Sequence, residues 1–443
     1  MRESVTYEEA VSYIERIPLF TKKTGPDNTR KLLGILEHPE EHGRIIHVAG
    51  TNGKGSTCAF LESVFRTMGL RTGLFTSPHL VRINERIRVC GEEIPDEGFL
   101  EMFRRVKRAA SKLEEEGGCF PAYFEFLFAM AMCWFRESNV ELLVCETGLG
   151  GRLDATNSIA KAEAEVITSI SLDHTEYLGE TVAEIAAEKA GIIRKTVPVI
   201  YCAEDPRSAQ VIERFAREKN AERIPLKKDG FSITKRLPGR MQVKLFLPRG
   251  GTLDLEVPSE AEYQAQNACL AALCALRLGA DEGSVQSGIR KMVWPARMEE
   301  IEKDVFLEGA HNPDGIRNIA AEIRRYAQKR KVWLLVSIVA DKNYPQMVRE
   351  LCRDVEYEGV LVTAVGGQRQ LDVDDLAKEF LSAGQSRVET EADAGRAYRR
   401  ALVEKGGGVL FCVGSLYLAG EVLAQEKERK HAKRKQAEQK QAE

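Results

Sequence analysis

The 443-residue chain has almost no excess of charge: 64 Lys and Arg stand against 67 Asp and Glu, a net of −3. That balance supplies no global field to draw nucleic acid or an anionic membrane surface, so any anionic ligand must be held locally. No stretch approaches the roughly 20 uninterrupted apolar residues of a membrane span. Met1-Arg2-Glu3-Ser4 opens without the apolar segment of a secretory signal. The ten cysteines include no C-x-x-C pair and no His/Cys cluster at zinc spacing. Cys58, Cys133, Cys145, Cys269 and Cys274 sit in apolar runs, where a thiol acts as a small hydrophobe. Such usage suits a reducing cytoplasm better than a secreted disulfide framework. The expectation is a soluble cytoplasmic monomer with small-molecule substrates and neither a nucleic-acid nor a membrane partner.

What is present is an alternation of short apolar runs with helical stretches. A helical lead over 6–16 precedes strands at 44–49, 71–76, 140–146, 165–170 and 197–202, with helices at 54–68, 97–116, 123–137 and 181–190. The near-continuous apolar run at 140–146 reads as a strand covered on both faces. The pattern predicts a mostly parallel α/β sheet flanked by helices. Texture changes at 231–257, where three short runs with Pro/Gly turns predict a small antiparallel sheet, followed by helices at 261–278 and 282–292. After Trp294-Pro295-Ala296-Arg297 a second, smaller Rossmann-like α/β alternation begins, with strands at 331–339, 358–365 and 408–413. At this length two domains are expected: 1–296 as a P-loop-type domain and 297–425 as the C-terminal domain. The Lys/Glu/Gln-rich end, 426–443, lacks an apolar stripe and reads as a disordered tail.

The strongest chemical signal is His47-Val48-Ala49-Gly50-Thr51-Asn52-Gly53-Lys54-Gly55-Ser56-Thr57, which leaves a strand and opens a helix. Glycines at 50, 53 and 55 let backbone N–H groups approach a phosphate, Lys54 adds a charge, and the helix start adds donors and its dipole. Ser56 or Thr57 offers a hydroxyl near a nucleotide-bound cation. The match to the strict G-x-x-x-x-G-K-[ST] loop is imperfect, with Val48 for the first glycine and Gly55 between Lys54 and Ser56. Glu146, Asp173 and His174 follow strand ends, where parallel α/β sheets form their ligand crevices.

The run G-T-N-G-K-G-S resembles the variant phosphate loop of the Mur ligase superfamily, and the Gly after Lys is typical of its folylpolyglutamate synthase/dihydrofolate synthase branch. The likeness extends to Thr76-Ser77-Pro78-His79-Leu80 with Asn84-Glu85-Arg86-Ile87, to Glu146-Thr147-Gly148-Leu149-Gly150-Gly151-Arg152-Leu153-Asp154-Ala155-Thr156-Asn157 (Thr147 replacing the usual Val), to Leu172-Asp173-His174-Thr175, and to Glu188-Lys189-Ala190-Gly191. Further on, Gln264 and Asn267 match a helix motif, Pro295-Ala296-Arg297 resembles P-G-R, Glu308 stands for the Asp of D-x-A-H-N-P around His311, Ala340-Asp341-Lys342-Asn343 is similar to a D-K-D segment with its last Asp lost, and Gly414-Ser415-Leu416-Tyr417 matches a C-terminal motif.

The resemblance implies an ATP- and magnesium-dependent ligase that adds L-glutamate to tetrahydrofolate through an acyl phosphate, and leaves open a second reaction on dihydropteroate. It implies ATP binding by the loop from Gly50 through Gly53 to Thr57 with Asn267, Arg297 and Glu308. It implies two Mg²⁺ ions on Ser77, Glu146, His174 and a carbamylated Lys189, with Lys54, Glu146, His174, Lys189 and His311 catalytic. The pteroate pocket would use Thr76, Tyr123, Arg152, Leu153 and Asp154. A cell-wall amino-acid ligase and a nucleotide-dependent regulatory ATPase are the alternatives. The first should lack S-P-H-L with N-E-R-I, and the second should hydrolyse nucleotide without an amino acid.

Overall fold

A computed structural model describes residues 5–18, 25–365, 367 and 369–442. The opening tetrapeptide, read above for a leader, and residue 443 lie outside the described residues. Two compact units emerge: one runs to Pro258 and takes back Tyr263–Val293, and the other holds Ser259–Glu262 and the chain from Trp294. The break falls between Val293 and Trp294, just before the Trp294-Pro295-Ala296-Arg297 segment and three residues ahead of the expected boundary, whereas the return of Ser259–Glu262 has no signal in the sequence.

The first unit is built on an eight-stranded sheet in the order Glu92–Glu93, Ile87–Val89, Thr72–Phe75, Leu142–Glu146, Arg44–Ala49, Ala164–Ile167, Val199–Cys202, Arg223–Leu226. Its first two strands pair antiparallel and the rest are parallel. Parallel strands need helices on both faces, so the central ones are mostly apolar and, apart from Arg44, buried. The antiparallel sheet of Phe231–Leu237, Arg240–Phe246 and Thr252–Val257 forms as expected, with buried residues alternating along the last two strands.

The chain leaves Arg44–Ala49, places the next strand on one side, then returns through Leu142–Glu146 and continues on the other side with Ala164–Ile167. That reversal opens a crevice at the strand carboxyl ends. Into it empty the loops after Ala49, Phe75, Glu146 and Ile167.

Two helices brace this region. Tyr123–Glu137 is apolar almost all round, and Phe124 and Phe128 meet Phe75 at 5.5 and 5.6 Å between ring centroids. The helix Lys54–Thr67 crosses Glu282–Lys291 so closely that a Cβ on Gly288 would lie 2.4 Å from Val64 Cα. Ser63 Oγ donates to Gly288 O at 2.7 Å across the same contact.

The second unit carries a six-stranded sheet, Arg297–Glu302, Val305–Glu308, Val409–Val413, Val332–Val336, Gly359–Val362, Val388–Thr390, in which only the first pair is antiparallel. The tail, from residue 426 onward, continues the helix Leu416–Ala442. Its start is docked, because Tyr398 Oη donates to Glu426 at 2.7 Å and Lys430 Nζ to Ile301 O at 3.1 Å, while Arg429 pairs with Glu302 and Glu426.

Among the described residues no helix is long and apolar enough to cross a membrane. All ten cysteines are free thiols; seven are buried and Cys119 is exposed.

Gly288→Ala is expected to cost about 1–3 kcal/mol through overpacking. Urea unfolding of the variant should show a lower midpoint, and an unchanged midpoint would mean that the two helices can part without penalty.

Candidate active site

The loop after Arg44–Ala49 is held by bonds to its carbonyls. Gly50 O accepts from Lys189 Nζ at 2.7 Å, Thr51 O from Lys54 Nζ at 3.1 Å, Asn52 O from Thr168 Oγ1 at 2.7 Å, and Gly53 O from Thr57 N at 2.9 Å. Thr51 N donates to Ser169 O at 2.8 Å, and Thr51 Oγ1 both donates to Ser171 O and accepts from Ser171 N at 3.2 Å. The phosphate loop is thereby latched to the segment that leads to Asp173 and His174.

Gly53 has φ +84°, and a Cβ there would sit 2.2 Å from Asn267 Oδ1. Both the left-handed backbone and the close approach require glycine. Asn267 is buried against the loop, with its Nδ2 donating to Gln264 Oε1 at 3.0 Å.

Gly55 and Ser56 lie in the first turn of Lys54–Thr67, followed by Thr57. Ser56 Oγ and Thr57 Oγ1 are buried with no hydrogen-bond partner among the described residues. A buried hydroxyl left unpaired costs about 1–3 kcal/mol. Two of them at a helix N-terminus, where free N–H groups favour an anion, suit phosphate oxygens and a phosphate-bound cation.

Lys54 Nζ stands 4.0 Å from Glu146 Oε1, and Glu146 Oε2 accepts from Ser77 N at 3.0 Å. Thus the loop lysine, the end of Leu142–Glu146 and the turn after Thr72–Phe75 meet at one carboxylate. Lys189, on Val182–Ala190, is buried. Burial first, then the nearby charge of Lys54, holds its ammonium down to about 7, against the opposing pull of Asp173 and Asp154. A substantial share of its amine is therefore a neutral nucleophile near neutral pH. His174 adopts φ +51°, with its N–H donating to Asp173 Oδ1 at 2.9 Å and its Nε2 3.9 Å from Asp173 Oδ2.

Among the described residues no group of three or more His, Cys, Asp or Glu side chains could hold a metal by itself. The donors do fit a cation that takes part of its shell from phosphate, as magnesium does: Glu146 is one carboxylate, Ser77 neighbours it, and two unpaired hydroxyls stand on the loop.

Of the residues expected around an acid substrate, Thr76 is buried and its N–H donates to Arg86 O at 3.1 Å. Tyr123 begins its helix beneath Arg86, whose Cζ is 5.3 Å from the ring centroid. Arg152 forks onto Glu188 Oε1 at 2.8 and 3.1 Å, next to Lys189 in sequence, and Leu153 is 40% exposed. Asp154 is buried. Its Oδ2 accepts from Leu149 N at 2.7 Å, and its Oδ1 from Thr156 N and Oγ1 at 3.0 and 2.6 Å. The carboxylate folds its own loop.

That loop joins a network invisible in the motifs. Thr156 Oγ1 also meets His47 Nε2 at 2.8 Å, His47 Nδ1 meets Arg194 Nη1 at 3.2 Å, and Arg194 pairs with buried Glu165 at 2.9 Å. Arg194 only donates, so Nδ1 accepts and Nε2 carries the proton. Burial, then the Arg194 charge, keeps the imidazole neutral. A histidine inside the apolar strand 44–49 is the only hint in the sequence.

On the second unit, Arg297 and Glu308 face each other in register across the first strand pair. Arg297 Nη1 donates to Ala296 O at 2.8 Å, and Glu308 Oε2 accepts from Met298 N at 3.0 Å. His311 Nδ1 donates to Gly309 O at 2.9 Å, which leaves Nε2 without the proton in the neutral ring. Asn312 caps Pro313–Ala327 through Gly315 N at 2.8 Å.

A phosphate loop at the switch point of one α/β unit, followed by a second α/β unit, defines a Mur-type ATP-dependent amide ligase. Residues 125–275 match the Mur ligase middle domain, and residues 296–416 match the Mur ligase glutamate ligase domain. The chain is 32% identical over 429 residues to the folylpolyglutamate synthase of Lacticaseibacillus casei, covering 94% of this chain and 98% of that one. It is 35% identical over 356 residues to the dihydrofolate synthase/folylpolyglutamate synthase of Bacillus subtilis (strain 168), covering 78% and 82%. A crystal structure of Mycobacterium tuberculosis folylpolyglutamate synthase, complexed with ADP and AMPPCP, superposes with a TM-score of 0.86 at 29% identity, over 95% of this chain and 98% of that one. The chain belongs to the folylpolyglutamate synthase/dihydrofolate synthase family of ATP-dependent glutamate ligases.

Ala296, which replaces a glycine of the family's P-G-R, is held at φ +54°. A side chain in that region costs about 1–2 kcal/mol. Ala296→Gly should raise the calorimetric unfolding temperature by a few degrees, whereas a fall would show that the methyl group's packing outweighs the strain.

Proposed function

We propose that this chain phosphorylates the carboxylate of a reduced folate with ATP and joins the resulting acyl group to the amine of L-glutamate, lengthening a polyglutamate tail. Dihydropteroate is a second acid, glutamylated to dihydrofolate. The observation that carries the nucleotide half is the pair of unpaired buried hydroxyls, Ser56 and Thr57, beside the Lys54–Glu146–Ser77 cluster. The second acid is favoured by the grouping of Thr76, Arg86 and Tyr123. It is also consistent with the double name of the Bacillus subtilis relative.

A carboxylate is inert to amines because oxide is a poor leaving group. Transfer of the γ-phosphoryl group to a carboxylate oxygen breaks its bond to ADP and creates an acyl phosphate. The glutamate nitrogen then attacks the acyl carbon, and phosphate and a proton depart. Lys54 and the loop N–H groups hold the phosphates in line for the first step. Ser77, Glu146, His174 and carbamylated Lys189 would hold two Mg²⁺ ions, which supply charge neutralisation at the transferring group. Arg297, permanently charged and forked, binds phosphate oxygens, and Glu308 anchors the strand pair that presents it. Asn267 lies along the nucleotide. His311, with its Nδ1–H committed to Gly309 O, directs Nε2 as an acceptor for the glutamate ammonium. Arg152 and Leu153 border the acid. The protein works as a cytoplasmic monomer, a setting that suits ten free thiols.

Carbamylation of Lys189 forms an N–C bond between the neutral amine and carbon dioxide and releases one amine proton. The remaining N–H keeps its donation to Gly50 O, while the new carboxylate replaces a cation that would repel Mg²⁺. With carbon-13 bicarbonate at pH 8, a carbamate resonance is expected in the native protein and absent in Lys189→Arg. A spectrum without it rules the modification out.

Release of ADP should require both an acid from the panel tetrahydrofolate, methylenetetrahydrofolate and dihydropteroate, and glutamate. Lys54→Ala and Glu146→Ala should each lower it by about a hundredfold or more. Near-native rates in either variant overturn the role assignments. Release without an amino acid would indicate a regulatory ATPase, and a response only to UDP-muramyl peptides would indicate a cell-wall ligase.

A further inference from the structure

Arg86 is a buried arginine, 7% exposed, that needs a partner to offset its desolvation. Its sequence neighbour Glu85 is spent elsewhere: the carboxylate accepts from the N–H groups of Leu80, Val81 and Arg82 at 2.7, 2.9 and 2.8 Å, closing the loop 80–85 on itself. Arg86 Nε turns instead to His79 Nδ1, at 2.9 Å. Its guanidinium carbon lies 5.3 Å from the centroid of Tyr123, and its carbonyl accepts from Thr76 N at 3.1 Å. The residue therefore ties three elements together: the turn after Thr72–Phe75, the loop carrying His79, and the start of Tyr123–Glu137.

We infer that His79 is a positioning residue for the folate acid: by accepting the Nε–H of Arg86 it holds that guanidinium against Tyr123 and so shapes the wall on which the acid's flat ring rests. The inference rests on the assignment of Tyr123 to the acid pocket in the proposed function. An arginine can only donate, so His79 must present a lone pair at Nδ1 and keep its proton on Nε2. Removing that acceptor leaves the buried Nε–H unpaired and loosens the hold on the guanidinium at the ring. A fixed cation behind a partly exposed tyrosine draws electron density from the ring and adds positive potential. Both favour a planar, electron-rich heterocycle that carries carboxylates, the chemical class of a pterin acid. The effect should fall on binding of the acid and spare the phosphate chemistry, which is assigned to the Lys54–Glu146 pair.

Two substitutions separate the hydrogen bond from simple bulk. His79→Leu fills the space without an acceptor, whereas His79→Asn sets Oδ1 where Nδ1 stood. With saturating ATP and glutamate, His79→Leu should raise KM for tetrahydrofolate about tenfold, and His79→Asn should return it to within about threefold of native, since a bond from a charged donor is worth about that factor or more. In both, kcat and KM for ATP should stay within about twofold. An unmoved KM in His79→Leu, or equal impairment in His79→Asn, overturns the inference while leaving the proposed function intact. If His79→Leu fails to fold by circular dichroism, His79→Gln, whose acceptor is displaced by one methylene, takes its place with the same expectation. If the native protein turns over no folate, the proposed function falls. Calorimetric affinities for tetrahydrofolate in the same variants then decide the role of His79, with equal affinities overturning it.

Discussion

The structure depends on how the four carbonyls of residues 50–53 are spent. Each has a donor: a lysine from a helix more than a hundred residues away, the loop's own lysine, a threonine beyond the neighbouring strand, and the first turn of the following helix. A loop rich in glycine has many conformations to lose, and a phosphate site must have its donors aligned before the ligand arrives. Tying down the acceptors does both. It fixes the backbone without a bulky side chain, and it leaves the N–H groups in the first turn of Lys54–Thr67 for the anion. The same bonds set Lys189 and the Asp173–His174 segment at fixed places around the loop, so the metal-binding candidates inherit their positions from the phosphate cradle.

Much of this is legible in the sequence because its signals are local. Apolar runs of strand length, the abrupt Gly-Lys-Gly turn and the Pro/Gly-punctuated run at 231–257 each report on residues a few positions apart, and each forms the element expected. What escapes is decided by partners distant in the chain. Asp154 sits in a motif that resembles a substrate contact, and its oxygens also accept from Leu149 and Thr156 and so hold the loop. Only the folded loop shows that. The tail from 426 has the composition of a solvated segment, and composition says nothing of Tyr398 or Ile301, whose contacts hold its beginning. The helix Pro26–Ile35 and the strand Arg223–Leu226 go unread because neither has a strong period or a long apolar run.

The second unit shows how substitutions at motif positions are accommodated. Glu308 reaches one methylene further than the usual aspartate, and its Oε2 meets Met298 N on the neighbouring strand. The negative charge is retained but given a backbone partner. Ala296 keeps the left-handed turn that a glycine would adopt freely. Backbone geometry here survives the loss of the residue best suited to it, which indicates that the flanking strand pair, with Gly309 N donating to Ala296 O at 2.9 Å, dictates the turn.

The distribution of sulfur has a practical side. Burial pushes the thiols of Cys58, Cys133, Cys145, Cys269, Cys274 and Cys412 upward, away from the reactive thiolate form. Cys119 is the exposed one, and its N–H bonds Asn28 Oδ1 at 3.1 Å at the foot of Pro26–Ile35. An electrophilic dye offered to the native molecule meets Cys119 as its most exposed thiol, with Cys90 and Cys352 only partly accessible, beside a helix that also contacts the segment around Asn157 through Arg30. The chain carries its own attachment point for watching that corner by fluorescence, with no engineered residue.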